Sequence, residues 1–104
     1  MKTLEKAELL NELFLAYKEL FTDKQVEYFN MYYEYDYSYQ EIADQFGISR
    51  NAVYDQLKKV EDSLYLYEEK LALVSLRKKR IELINKYLET NDKEILNEIK
   101  RMDE

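Results

Sequence analysis

The chain has 104 residues, of which 46% are apolar and 37% are charged, a balance typical of a small soluble, helix-rich domain. Its 16 Lys and Arg against 22 Asp and Glu give a net charge of −6. That charge disfavours tight nonspecific binding to nucleic acid, because phosphate neutralisation supplies most of such affinity. The sequence has no cysteine and no histidine, which excludes disulfides, thiolate catalysis and the usual near-neutral proton shuttle. We therefore expect a protein that is not an enzyme and uses no cofactor or metal.

The opening residues are charged throughout and lack the apolar core of a signal peptide. No stretch of the sequence approaches the roughly 20 apolar residues that a membrane-spanning helix needs. A single glycine and the absence of proline leave long helices uninterrupted. We expect an all-α, cytoplasmic protein without membrane insertion, forming one helical domain over residues 1–104.

A leading helix is predicted over residues 3–21 by apolar side chains at helical spacing. They are Leu10, Leu13, Phe14, Tyr17, Leu20 and Phe21. Thr22 and Gln25 then form a capping box, the pattern that starts a second helix.

A tyrosine-rich segment covers residues 30–39. The rings can form a platform on which RNA bases stack. Alternatively, they fill the corner between two helices and keep their hydroxyl groups in water. The sequence leaves both interpretations open.

The segment 38–57 has the pattern of a helix-turn-helix motif. Ser38 and Glu41 form a capping box, and Gly47 stands where the first helix must end with a positive φ angle. Ser49 is placed to cap the second helix. Apolar residues that would fix the angle between the two helices are Ile42, Phe46, Ile48, Val53 and Leu57. Residues 22–64 are therefore predicted to be a helix-turn-helix head.

The helical pattern continues from Arg50 to about Leu88, followed by a short terminal helix capped near Asn91. One apolar series recurs every seven residues, at Val53, Val60, Tyr67, Val74, Ile81 and Leu88, and a second contains Leu57, Leu64 and Leu71. The leading helix, the terminal helix or a second copy of the chain can cover this stripe, and we favour a homodimer. Residues 65–104 are predicted to hold the continuation of the long helix and the terminal helix, with a bend or break near residues 65–70 left open.

Several polar residues are expected to face outward on the motif and to contact nucleic acid. They are Tyr39 and Gln40 on its first helix, and Ser49, Arg50, Asn51, Tyr54 and Lys58 at the start of its second. Arg50 and Asn51 suit base edges or phosphates, and Tyr54 suits stacking. Asp55 would repel phosphates. In the alternative interpretation, the motif is a scaffold for protein contacts.

The one basic run of the sequence comprises Arg77, Lys78, Lys79 and Arg80. It can bind RNA or an acidic protein partner. The alternative is a solvated helix face.

Residues 22–64 resemble region 4 of bacterial sigma factors, the part that reads promoter DNA. The likeness rests on the segments 22–25, 38–43 and 47–49, followed by Val53, Leu57, Val60 and Leu64. The resemblance implies that Arg50, Asn51, Tyr54 and Lys58 read the major groove.

Over its whole length the chain resembles the YlxM family of small helix-turn-helix proteins. The likeness includes the opening at residues 9–17, the tyrosine-rich segment 32–39 and the core at residues 41–55. This resemblance implies a regulatory role in the signal recognition particle pathway. The implied partner is the particle's RNA, its targeting GTPases or the DNA that controls their genes.

Overall fold

The computed structural model describes residues 3–103, which form six α-helices and contain no β-strand. The predicted all-α fold is confirmed. The helices are α1 (Leu4–Tyr17), α2 (Asp23–Phe29), α3 (Tyr39–Phe46), α4 (Arg50–Leu71), α5 (Leu73–Thr90) and α6 (Glu94–Arg101). A 3₁₀ turn (Lys18–Leu20) follows α1, and a π-helical turn (Asn30–Glu34) follows α2.

Side-chain caps begin the first helices where the sequence predicts them. Thr22 and Gln25 exchange the two hydrogen bonds of a capping box, at 2.9 and 3.2 Å. Ser38 and Glu41 do the same at 3.0 and 3.1 Å. Because each box satisfies two backbone N–H groups that have no partner inside the helix, it fixes the first residue of α2 and of α3.

The chain divides into two compact units, the first ending at Lys70 and the second beginning at Leu71. In the first unit, α1 to α4 contribute the buried core. Its members are Leu10, Leu13, Phe14, Tyr17, Tyr28, Phe29, Ile42, Ala43, Val53, Leu57, Val60 and Leu64. Each large apolar side chain of this kind contributes about 1.5–3 kcal/mol when it leaves water. The rings of Phe14 and Phe29 stack with centroids 4.0 Å apart, which joins α1 to α2.

The leading helix covers part of the apolar stripe of α4, which is one of the three arrangements that the sequence leaves open. Tyr17 of α1 contacts Tyr67, with ring centroids 5.9 Å apart, and Lys6 pairs with Glu61 at 3.0 Å. Leu64, at 0% exposure, belongs to the core of a single chain. This residue therefore has no surface to offer to a second copy.

The helical pattern from Arg50 to Leu88, whose continuity the sequence left open, is interrupted at Ala72. Ala72 has φ 53° and ψ 31°, in the left-handed region, and ends α4 one residue after Leu71. The backbone N–H of Leu76 donates to the carbonyl of Ala72 at 2.9 Å and so begins α5. Alanine enters this region at a cost of roughly 1–2 kcal/mol. Because alanine is also the best helix former, the sequence pattern gives no sign of the break. The break lies just beyond the range 65–70 that the sequence left open.

The second unit consists of α5 and α6, which pack against each other. Asn91 ends α5 in the left-handed region, with φ 56°, and its N–H donates to the backbone carbonyl of Tyr87 at 2.7 Å. The side chain of Asp92 accepts from the N–H of Glu94 at 3.0 Å, whereas the N-cap residue of α6, Lys93, makes no side-chain capping bond, so a bond near Asn91 is present but comes from the residue before the N-cap. Ile81 and Leu88, two members of the predicted seven-residue series, are 44% and 69% exposed.

Candidate nucleic-acid interface

The turn between α3 and α4 is built on Gly47. Its φ of 65° lies in the left-handed region, which an L side chain rarely adopts. The N–H of Ile48 donates to the carbonyl of Ala43 at 3.1 Å and closes the turn. The hydroxyl of Ser49 accepts from the N–H of Ala52 at 3.0 Å, which caps the start of α4. The predicted helix-turn-helix geometry is therefore present in detail.

Apolar contacts hold α4 at a fixed angle to α3. Ile42 and Ala43 on α3 and Val53 and Leu57 on α4 are buried in one cluster with Tyr28 of α2. With these side chains at most 4% exposed, the inner side of α4 is fully committed to the core. The opposite side of its first turns is consequently presented to solvent in one orientation.

The exposed side of α4 carries most of the side chains predicted to bind nucleic acid. Arg50, Asn51, Tyr54 and Lys58 are all exposed, and so is Asp55 beside them. The Lys58 ammonium lies 2.9 Å from Asp62, and this contact raises the pKa of the lysine. Surface ion pairs of this kind contribute little to stability and exchange readily, so Lys58 can leave Asp62 for a phosphate.

Two of the predicted residues are already engaged. The hydroxyl of Ser49 accepts the capping hydrogen bond, and the amide of exposed Gln40 donates to Asp44 at 2.8 Å. Tyr39 is half-buried because its ring stacks on that of Tyr32, with centroids 4.9 Å apart and an interplanar angle of 11°.

The tyrosines form a continuous row of rings that ends at the exposed side of α4. Tyr33 meets Tyr32 edge to face at 4.9 Å, and Tyr39 meets Tyr54 edge to face at 5.9 Å. These ring contacts fit the interpretation that the segment fills a corner between helices, whereas the platform for RNA bases stays a prediction. The rings fill the corner next to α3, and Tyr54 at the end of the row is 49% exposed.

A pocket of about 220 Å³, here called the tyrosine pocket, opens beside this row. Its lining residues are Lys6, Tyr32, Tyr33, Tyr39, Tyr54, Lys58 and Glu61. The hydroxyl of Tyr33 donates to Oε1 of Glu61 at 2.8 Å, and the Lys6 ammonium lies 3.0 Å from the same oxygen. The hydrogen bond to Glu61 raises the pKa of Lys6, and burial followed by the bond to Glu61 raises that of Tyr33. Both groups therefore stay protonated at neutral pH.

Sequence reasoning missed Lys6 and Glu61. The two residues lie 55 positions apart, on α1 and α4, and each reads as an ordinary charged residue of a helix surface. The only available signal was the density of tyrosine between residues 30 and 39, which indicated an aromatic surface without showing what lies next to it.

The basic run lies on α5, in the second unit, whereas the exposed side of α4 belongs to the first. Arg77, Lys78 and Lys79 are exposed, and Arg80 is half-buried. These four residues follow one another on a single turn of α5.

No helix within residues 3–103 combines the length and the apolar character needed to span a bilayer.

Two helices joined by a left-handed glycine, the second fixed by its buried side and open on the other, define a helix-turn-helix protein. The chain belongs to the UPF0122 family, described as "Putative helix-turn-helix protein, YlxM / p13 like", which matches residues 4–104. The resemblance to YlxM drawn from the sequence is thereby confirmed.

Three similar proteins illustrate the relationship. A UPF0122 protein of Mycoplasma capricolum is 51% identical over 88 residues, covering 85% of this chain and 77% of its own. A UPF0122 protein of Oceanobacillus iheyensis is 45% identical over 100 residues, covering 95% of each chain. The UPF0122 protein YofM of Lactococcus lactis is 45% identical over 106 residues, covering 97% of this chain and 96% of its own.

Proposed function

We propose that this protein is a regulatory helix-turn-helix protein that binds nucleic acid through the exposed side of α4. The observation that carries the proposal is that Arg50, Asn51 and Tyr54 share the open side of the first turns of a helix whose other side is buried. Arginine and asparagine contact base edges and phosphates, and tyrosine stacks on bases.

We further propose that the target is an RNA of the signal recognition particle pathway. The net charge of −6 and Asp55 next to Tyr54 weaken attraction to a long duplex. A row of tyrosine rings that ends in an exposed ring suits unpaired bases, which are the usual targets of sequence-specific RNA recognition. The targeting GTPases of the pathway are the alternative partners there, and the basic run Arg77, Lys78, Lys79 and Arg80 is the segment that would contact an acidic surface.

A second candidate function is sequence-specific DNA binding by a transcription regulator resembling sigma factor region 4. The turn at Gly47 and the exposed start of α4 favour it, because this geometry places a helix in the major groove. In either function, a homodimer would double the contacts and raise the overall affinity. The exposed Ile81 and Leu88 on α5 are the surface proposed for that association.

The test is a binding survey with three probes: signal recognition particle RNA, a targeting GTPase and promoter DNA from upstream of its gene. Each is titrated at two ionic strengths. Arg50→Ala should weaken RNA binding about fivefold or more, because a base or phosphate contact is lost. Lys59→Ala is the matched control, since Lys59 is also exposed on α4 but lies outside the proposed contact set. Equal losses in the two variants, or tighter binding to promoter DNA than to RNA, would remove the RNA proposal.

A further inference from the structure

We propose that the tyrosine pocket receives one unpaired nucleobase that carries an exocyclic amino group. This inference deepens the function proposed above and rests on it. The pocket shares Tyr54 and Lys58 with the exposed side of α4, so a strand bound there passes its mouth. Its volume of about 220 Å³ is below the roughly 300–1,000 Å³ of pockets for drug-sized ligands, which fits a single base better than a base pair.

The walls of the pocket offer aromatic faces and edges. The rings of Tyr32 and Tyr39 are already stacked on each other, and Tyr54 stands edge-on to Tyr39 with half of its surface open. Every nucleobase has an aromatic face, so stacking on such rings is favourable whatever the base.

The charges that line the pocket select the kind of ligand. Tyrosine-lined cages with a carboxylate also bind alkylammonium groups. Here Lys6 and Lys58 line the pocket as well, and both keep their positive charge because contacts with Glu61 and Asp62 raise their pKa values. Two ammonium groups repel a cationic ligand. The exposed Lys58 on α4 instead suits the phosphate attached to a bound base.

Glu61 gives the pocket a preference among the bases. The Tyr33 hydroxyl and the Lys6 ammonium both contact Oε1, so Oε2 is the oxygen that can accept from a ligand. A carboxylate accepts from the amino group of cytosine and itself has no donor for the carbonyl oxygen that uracil or thymine carries at the same position. The nearest donors, the Tyr33 hydroxyl and the Lys6 ammonium, are already in contact with Oε1. Cytosine is therefore expected to bind in preference to uracil.

The test uses hairpins that are identical except for one bulged residue. The RNA pair carries bulged cytosine or uracil, the DNA pair carries bulged cytosine or thymine, and fully paired hairpins complete the set. The wild-type protein should bind the cytosine bulge about tenfold more tightly than the uracil bulge. Comparison of the RNA pair with the DNA pair then shows which of the two nucleic acids supplies the base.

Glu61→Gln and Asp62→Asn form a matched pair, since each removes one negative charge from the same stretch of α4. Glutamine at residue 61 can present either its carbonyl oxygen or its NH₂ group, so the cytosine preference should fall to about twofold or less. Asp62 does not line the pocket, and Asp62→Asn should keep the preference. Thermal unfolding of both variants checks that they are folded.

Two outcomes would overturn the pocket. One is equal wild-type affinity for bulged and paired hairpins, and the other is a cytosine preference that survives Glu61→Gln as well as Asp62→Asn. If Arg50→Ala still weakens binding to all hairpins in that case, the proposed function stands without the pocket. If the wild-type protein binds no hairpin, the pocket proposal falls, and the proposed function is decided by the survey with its three probes.

Discussion

The phenol hydroxyl of Tyr17 donates a 2.6 Å hydrogen bond to Oε1 of Glu68, which joins α1 to α4 across 51 residues of chain. Tyr17 is 1% exposed, so its ring belongs to the core while its hydroxyl reaches the half-buried carboxylate. This bond and the pair of Lys6 with Glu61 fix α1 against α4, and α1 in turn supplies one wall of the tyrosine pocket.

Tyr17→Phe should lower the free energy of unfolding by about 1–3 kcal/mol, because a half-buried carboxylate loses a hydrogen-bond donor. Urea denaturation followed by circular dichroism measures the change. Tyr35→Phe is the control, since Tyr35 is 62% exposed and its loss of a hydroxyl should change stability by less than about 0.5 kcal/mol. The same small effect in both variants would show that the bond contributes nothing in solution.

Gly47→Ala should cost about 1–2 kcal/mol of stability through the backbone alone. A Cβ atom at this position meets no atom within 4 Å, so no steric clash adds to the cost of φ 65°. Gly47→Asn should cost less, because asparagine tolerates the left-handed region better than alanine does. Urea denaturation of the two variants orders them, and a less stable asparagine variant would contradict this explanation.

Ala72→Gly should leave stability unchanged or raise it, because glycine adopts φ 53° without the strain that alanine bears. Inside a continuous helix the same change would instead cost roughly 1 kcal/mol. Lys59→Ala and Lys59→Gly, compared at an exposed position within α4, provide that reference. A penalty at Ala72 as large as the difference at Lys59 would indicate an unbroken helix.

Alkaline pH should destabilise the protein in part through Tyr33. Its pKa in the folded state is raised above the ordinary 10.0, first by burial and then by its bond to Glu61. Because the pKa of Tyr33 is higher in the folded state than in the unfolded state, its protonated hydroxyl contributes its full stabilisation of the fold below pH 10. That stabilisation is lost as the pH rises above 10. Tyr33→Phe should therefore lose less stability than the wild type between pH 9 and pH 11, as measured by urea denaturation. A parallel loss in both proteins would rule out this role of Tyr33.

Self-association is best tested at Leu88, which is 69% exposed on α5. If α5 forms the proposed dimer, Leu88→Glu should halve the mass seen in light scattering and leave the helical content intact. Leu15→Glu is the control, because Leu15 is 73% exposed on α1 and lies outside the proposed surface. A wild-type protein with the mass of one chain would remove the dimer. Leu64 is unsuitable for this test, since a charge there would unfold the core.

Local patterns predicted the local geometry of this protein well. The capping boxes at Thr22 and Ser38, the glycine turn and the cap at Ser49 each depend on residues within five positions of one another, so their chemistry is visible in the sequence. The break at Ala72 was hidden because alanine is the best helix former and gives no local reason to stop.

Contacts between distant segments account for what the sequence did not predict. The tyrosine pocket needs the ammonium of Lys6 on α1 to contact the carboxylate of Glu61 on α4, and no spacing rule relates the two positions. The apolar stripe on α4 was predicted because it is a local pattern. Its partner in the first unit, α1, is distant in the sequence and was therefore only one of three possibilities.

The direction in which the side chains of the tyrosine row point depends on the π-helical turn at Asn30–Glu34. The N–H of Tyr35 bonds to the carbonyl of Asn30, five residues back, so this turn holds one residue more than an α-helical turn. Deleting a single residue here would restore ordinary helical winding with the flanking side chains in nearly the same direction, whereas winding the same residues as an α-helix would rotate those side chains by about 100° relative to each other. A relative of equal length elsewhere but one residue shorter in this turn would therefore keep both its helix-turn-helix motif and the aromatic wall beside it.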